Sequence, residues 1–225
     1  MSKITVYHGS SNVIEHPVWG AGKEYNDYGR GFYCTEYIEL AKEWGCSSGT
    51  DGFANQYSLE LDGLQVLNLS SEEYNILNWL AILMDNRIGR LNSPVERMGK
   101  EYLIRNFTPD YHNYDIIIGY RADDSYFSFA RAFVSNTISL KQLQYAMKLG
   151  KLGEQIVLIS QNAFNAIQFK GYEVADHTIY FAKKKARDEH ARDAYFKELE
   201  DNDLNGIFMR DIIREGLKAD DQRLR

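Results

Sequence analysis

Three short stretches of the chain carry side chains whose types and spacing could do chemistry. The first is Tyr7-His8-Gly9-Ser10. A histidine leaving a strand can donate to or accept from a ribose hydroxyl. Gly9, without a Cβ, lets its backbone come close to a flat amide. Alone, His-Gly-Ser is more often a turn than a site. The second stretch is Tyr28-Gly29-Arg30-Gly31-Phe32-Tyr33-Cys34-Thr35, followed by Ala41 and Trp44. Its glycines permit a tight turn, and Tyr33 and Trp44 could face each other across a slot one aromatic ring thick. Stacking a ring there is favourable by roughly 0.5–1.5 kcal/mol per pair beyond area burial. Periodicity by itself reads Trp44 as core. The third is Gly153-Glu154-Gln155. A carboxylate at a cleft mouth can stabilise a developing oxocarbenium ion, although a solvent-facing Glu at a strand start is common.

The elements that must position these residues can be read from pattern. Ile4 to Tyr7 is a short β-branched strand. Thr35 is a plausible N-cap, and Tyr37, Leu40, Ala41 and Trp44 share a helical face closed by Gly45. Residues 56–61 and 66–69 read as strands. Ser70 with Glu73 predicts a capping box for an apolar helix through Met84. Ser93-Pro94 with Glu96 starts a helix to about Phe107. Residues 114–119 form a buried strand, Ser139 and Gln142 open a helix to Gly150, and 154–159 is a central strand apolar on both faces. After Gly171 the composition shifts, and residues 183–201 read as a solvated helix with i,i+4 ion pairs. Gly206 to Met209 with Ile212 and Ile213 gives a contact face, with packing on its own domain slightly favoured. Strands and helices alternate without a βαβ rhythm, so the fold class is α+β. Residues 1–171 form the main domain and 172–225 a charged helical C-terminal extension.

Composition narrows the function classes. The chain has 225 residues, 44% hydrophobic and 13% aromatic, with sixteen Tyr and three Trp. That suffices for a core and suits a pocket for planar ligands. A net charge of −6 does not advertise broad nucleic-acid binding, though a local basic patch can exist. Cys34 and Cys46 form no CxxC, and the five His show no metal-ligand spacing, so no metal is expected. No apolar run reaches the ~20 residues of a membrane span, and the start has no signal-peptide core; the expectation is a soluble, cytoplasmic chain. Gly29-Arg30-Gly31 lacks the third glycine of a dinucleotide fingerprint, which argues against hydride transfer.

Taken together, the pieces resemble the His-Tyr-Glu branch of ADP-ribosyltransferases, which includes diphtheria toxin and the poly(ADP-ribose) polymerases. His-Gly-Ser ends a strand, and Gly-x-Gly-Phe-Tyr leads into a helix whose second aromatic matches Trp44 and whose small pocket residue matches Ala41. The chain is more closely similar to an uncharacterised bacterial family of the same clan. The matching residues are Tyr7 to Ser10, Asp27 to Tyr33, Ala41-Lys42-Glu43-Trp44, Tyr114 to Gly119, Ala122-Asp123-Asp124 and Gln155 to Phe169, spanning roughly residues 4–171. The resemblance implies a split mixed β-sheet core with flanking helices. It implies cleavage of NAD, as substrate and without metal, and transfer of ADP-ribose to a protein or nucleic-acid acceptor. Members of that family often sit beside small partner proteins in a toxin-and-antitoxin arrangement, which implies a small antitoxin as partner.

On that reading nicotinamide lies between Tyr33 and Trp44, lined by Ala41 and Gly31, and Gly9 holds its carboxamide. His8 bonds the adenosine-side ribose, and Ser10 or Arg30 meets the diphosphate, Arg30 being the best nearby cation. The third catalytic position is either Glu154, matching the enzyme branch, or Gln155, matching the bacterial family. Only one of two adjacent strand residues can face the cleft. If it is Gln155, a carboxylate such as Asp123 or Asp124 could support the ribose. The rivals are an NAD glycohydrolase, with water as acceptor, and a non-catalytic NAD- or ADP-ribose-binding module.

Overall fold

The computed structural model describes residues 2–87, 93–122, 124–149, 152–200 and 203–225. They form an α+β fold with two small sheets and, among the described residues, eight α-helices.

The first sheet is antiparallel, with β1 (Lys3–Ser10) beside β3 (Gly52–Glu60) and β3 beside β7 (Ile167–Ala175). The second is mixed, in the order β2 (Phe32–Cys34), β6 (Glu154–Leu158), β5 (Ile116–Tyr120) and β4 (Val66–Asn68), with only β4 and β5 parallel. The central place of β6 explains its run of apolar residues, four of its five positions being buried. Among the described residues, one antiparallel bridge joins the sheets. Tyr7 N–H donates to Thr35 O at 2.7 Å, and Thr35 N–H donates to Tyr7 O at 2.9 Å. The molecule therefore has a seam where β1 passes β2.

Helix α1 (Ile38–Gly45) lies against β1 and β3. Thr35 does not cap it directly; its Oγ1 accepts from the Tyr37 N–H, and Tyr37 is the N-cap. Gly9 explains the close packing. A Cβ there would sit 1.9 Å from the Ala41 carbonyl oxygen, so only glycine lets strand and helix backbones meet. Helix α2 (Ile76–Asn86) starts later than the Ser70/Glu73 pattern predicts. Asn75 Oδ1 accepts from Leu77 N–H and Asn78 Oδ1 from Asn75 N–H, a reciprocal cap that the intervening turns at 71–74 deliver. Its residues from Ile76 to Met84 are all buried, as a helix apolar all round must be. Each large side chain among them contributes about 1.5–3 kcal/mol.

Helix α3 (Pro94–Phe107) begins at Ser93, whose hydroxyl accepts from Glu96 N–H. Helix α4 (Asp124–Val134) follows β5, and sequence periodicity had not marked it. Helix α5 (Leu140–Ala146) keeps the Ser139/Gln142 capping box but ends before Gly150, which lies outside the described residues. A short helix α6 (Gln161–Asn165) precedes β7. Since β7 runs unbroken from Ile167 to Ala175, the boundary placed at 171/172 falls inside a strand.

Helix α7 (His177–Glu200) opens where Asp176 Oδ1 accepts from Thr178 N–H and Asp51 Oδ1 from His177 N–H. Helix α8 (Met209–Glu215) ends on Gly216 in the left-handed region. Ala191, Tyr195, Met209, Ile212, Leu217 and Leu224 are buried in the same core as α2 to α5. The apolar segment near Met209 thus packs on its own domain. No described helix is long and apolar enough to cross a membrane.

Candidate functional site

A cleft of about 1070 Å³ opens at the seam between the sheets, at the upper end of the ~300–1,000 Å³ usual for ligand sites. Strand alternation decides what enters it. On β1, Val6, His8 and Ser10 share one face, and Tyr7 and Gly9 the other. His8 and Ser10 line the cleft. His8 Nδ1 lies 2.7 Å from the Tyr33 carbonyl oxygen, so the ring donates there and its Nε2 is the acceptor. The ring stacks on Phe32 at 4.3 Å. Burial holds the imidazole below its ordinary value, only partly offset by the bond to Tyr33 O.

Ser10 Oγ donates to Asn12 O at 2.6 Å and accepts from Asn55 Nδ2 at 2.9 Å. Asn55, fully buried on β3 and opposite His8 in register, also donates to His8 O and accepts from Ile14 N–H. One amide thus ties the loop after β1 to the strand that carries His8. Sequence reading passed over Asn55, because a polar residue in a strand carries no local signal of what it holds.

Tyr33 lies opposite Val157 of β6, and Val157 shares a face with Gln155. Tyr33 and Gln155 both line the cleft. The Tyr33 hydroxyl donates to Gly29 O at 2.7 Å and accepts from Tyr28 N–H at 3.0 Å. That closes the turn before β2 around the ring, with Gly29 at φ +74, a left-handed conformation costly for other residues. Burial pushes the phenol well above its ordinary pKa, so it stays protonated.

The choice between Glu154 and Gln155 falls to Gln155. It is buried and lines the cleft, whereas Glu154 is exposed and does not. Gln155 Nε2 donates to Asp27 Oδ2 at 3.0 Å. Asp27 Oδ2 also accepts from Ala122 N–H at 2.8 Å, and Asp27 Oδ1 lies 2.8 Å from Arg87 Nε. Asp27 is buried, which raises its pKa despite the opposing pull of Arg87 and the two hydrogen bonds. Asp27 is the buried carboxylate of the cleft, whose rim Asp188 of α7 also lines. It stands at the head of the Asp-x-Gly-x-Gly motif, which was its only sequence signal. Asp123 and the Asp124 side chain lie outside the described residues.

Two expected contacts are corrected. Ala41 is fully buried and does not line the cleft; its carbonyl is the surface on which Gly9 packs. Arg30 is exposed and pairs with Glu24 at 3.4 Å, away from the cleft. Other cations line the cleft in its place: Lys23, Arg87 and Arg121 from the body, and Lys184, Lys185 and Arg192 from α7. Gly9 itself lines the cleft, and a Cβ there would point into α1.

Gly31 and Trp44 do line the cleft. A Cβ on Gly31 would meet a Val157 methyl at 2.6 Å, so β2 can join β6 only because that residue is glycine. The Arg121 guanidinium lies 3.7 Å over the Trp44 ring. One face of that indole is thus covered by a cation.

No curated protein and no solved structure matches the chain. A family model matches residues 4–169, from β1 into β7, and the chain therefore belongs to the family described as "Protein of unknown function (DUF3990)".

Proposed function

We propose that the protein is an NAD-consuming ADP-ribosyltransferase whose sheets form the split mixed core of that fold. One observation carries the reading. His8 and Tyr33, from two different sheets, are joined by a 2.7 Å hydrogen bond on one cleft, with Gln155 beside them on the next strand.

Neutral His8 offers its Nε2 to the adenosine-side ribose, and Ser10 adds a second polar contact. Nicotinamide stacks on Tyr33 on the side of Trp44. Entry there requires the free face of the indole or displacement of Arg121, whose charge would then serve the diphosphate. Because Gln155 Nε2 is spent on Asp27, its Oε1 remains as acceptor for the 2′-hydroxyl of the nicotinamide ribose. The carbon–nitrogen bond to nicotinamide breaks in a loose transition state with positive charge on the sugar. The buried Asp27 carboxylate supplies the negative potential that Glu154 was expected to supply. The acceptor then attacks the anomeric carbon. A toxin role, with a small antitoxin protein as partner, rests on the resemblance in motif order alone.

The test is nicotinamide release from NAD by the wild type and by Tyr33→Ala. Loss of one stacking partner is expected to lower release about tenfold. Equal release, or none from the wild type, removes the reading. With labelled NAD and cell lysate, label on macromolecules marks transfer, and free ADP-ribose alone marks a glycohydrolase. The cleft's Gln155 in place of a glutamate favours a second reading, a module that binds NAD without turnover. In that case NAD raises the melting temperature and is not consumed.

A further inference from the structure

Helix α7 lies beyond the residues the family model matches, yet it forms one wall of the cleft. It presents two faces. Tyr180, Lys183, Arg187, Ala191 and Tyr195 form the docking face. Lys183 Nζ reaches Glu39 of α1 at 3.0 Å, and Arg187 grips the buried Glu43 through two nitrogens, while Ala191 and Tyr195 enter the core. Phe181, Lys184, Lys185, Asp188 and Arg192 form the other face, at the spacing of one helical stripe, and all five line the cleft.

The charge there runs against the molecule as a whole. In a chain of net charge −6, six cationic side chains line the cleft against two carboxylates, Asp27 and Asp188. Each carboxylate already faces an arginine, Asp27 at Arg87 and Asp188 at Arg192. The excess is therefore largely lysine; Lys185 is 68% exposed, and its partner Glu189, at 3.8 Å and 61% exposed, does not line the cleft.

We propose that the cleft face of α7, through Lys184, Lys185 and Arg192, binds the phosphates of a single nucleic-acid strand, which serves as the acceptor. The acceptor role rests on the transferase reading above, whereas the binding does not. Length favours a strand over the dinucleotide itself. From Lys184 to Arg192 the row extends eight residues, about 12 Å at 1.5 Å per residue. The two phosphorus atoms of a diphosphate share one oxygen and would engage only one end of it. Successive phosphates of a strand can use both ends. Phe181, on the same stripe, adds the aromatic surface on which a base can stack.

The experiment is fluorescence anisotropy with labelled single-stranded DNA and RNA of about twelve nucleotides. It compares the wild type with Lys184→Glu/Lys185→Glu and with Phe181→Ala, each checked by circular dichroism. The wild type is expected to bind at least one of the two strands, with affinity falling as salt rises. The double variant is expected to bind at least tenfold more weakly, with a salt slope shallower by about 1.4 for two lost phosphate contacts. Phe181→Ala is expected to weaken strand binding while leaving the salt slope unchanged. Absence of binding to both strands, equal affinity in the double variant, or equal competition by poly-glutamate overturns the proposal. Nicotinamide release from NAD is measured in parallel, with and without oligonucleotide. Strand binding with no release under either condition supports the surface and ends the transferase reading instead.

Discussion

His8 and Gln155 reach the cleft in defined states because of what lies behind them. The Tyr33 carbonyl fixes the imidazole tautomer, and burial keeps the ring neutral. That burial has a pH signature. The folded-state pKa lies below 6.5, so as pH falls through 6.5 the unfolded chain takes up a proton that the folded chain refuses, and stability declines. Between pH 7 and 5 the urea midpoint of the wild type should therefore drop further than that of His8→Gln. Equal drops would mean the imidazole is free to charge. At Gln155 the amide is oriented by Asp27, 3.0 Å away. Gln155→Glu sets carboxylate against carboxylate and forces one to hold a proton. Nicotinamide release at pH 7 is expected to fall about a hundredfold and to recover in Gln155→Glu/Asp27→Asn. A double variant no better than the single one would show that the pair does not work as a unit.

At the scale of elements, the site depends on a backbone approach that only glycine allows and on the seating of α7. Gly9 sets β1 on α1, where a Cβ would lie 1.9 Å from Ala41 O. Gly9→Ala is expected to cost about 3 kcal/mol through forced separation of strand and helix, read as a lower melting temperature. Helix α7 is held by the pair Arg187–Glu43, in which Glu43 is 2% exposed. Arg187→Ala would strand that carboxylate, with an expected loss of about 3–5 kcal/mol. Arg187→Ala/Glu43→Ala should be less destabilised than the single variant in chemical denaturation. If the two variants unfold alike, the ion pair is not what seats α7.

For the whole molecule, the C-terminal quarter belongs to the main core. Tyr195 packs on Phe129 at 4.0 Å, Tyr102 Oη donates to Leu217 O, and Leu224 is fully buried. Truncation after Ala175 would uncover these contacts, and the remaining chain is expected to lose its cooperative thermal transition. A truncated chain that melts as sharply as the full one would show residues 1–171 to be self-sufficient.

Much of the local structure was legible from short-range chemistry. Ser93-Pro94, Ser139 with Gln142, and the apolar run of β6 each state their conformation within a few residues, because capping and alternation are local effects. The same holds for the motifs that carry His8, Tyr33, Trp44 and Gln155, all of which line the cleft. What stayed hidden depends on partners distant in the chain. Arg30 looked like the cation of the site by sequence proximity, yet it turns to Glu24. The charges of α7 read as a solvated helix, and the i,i+4 pairs Lys185–Glu189 and Asp188–Arg192 do exist. Charge pattern cannot tell which stripe of such a helix docks on α1 and which faces a cleft, since both are polar. Whether Glu154 or Gln155 points inward was likewise a matter of register. Pairing with β2 and β5 sets that register, and a shift of one residue would exchange the two side chains.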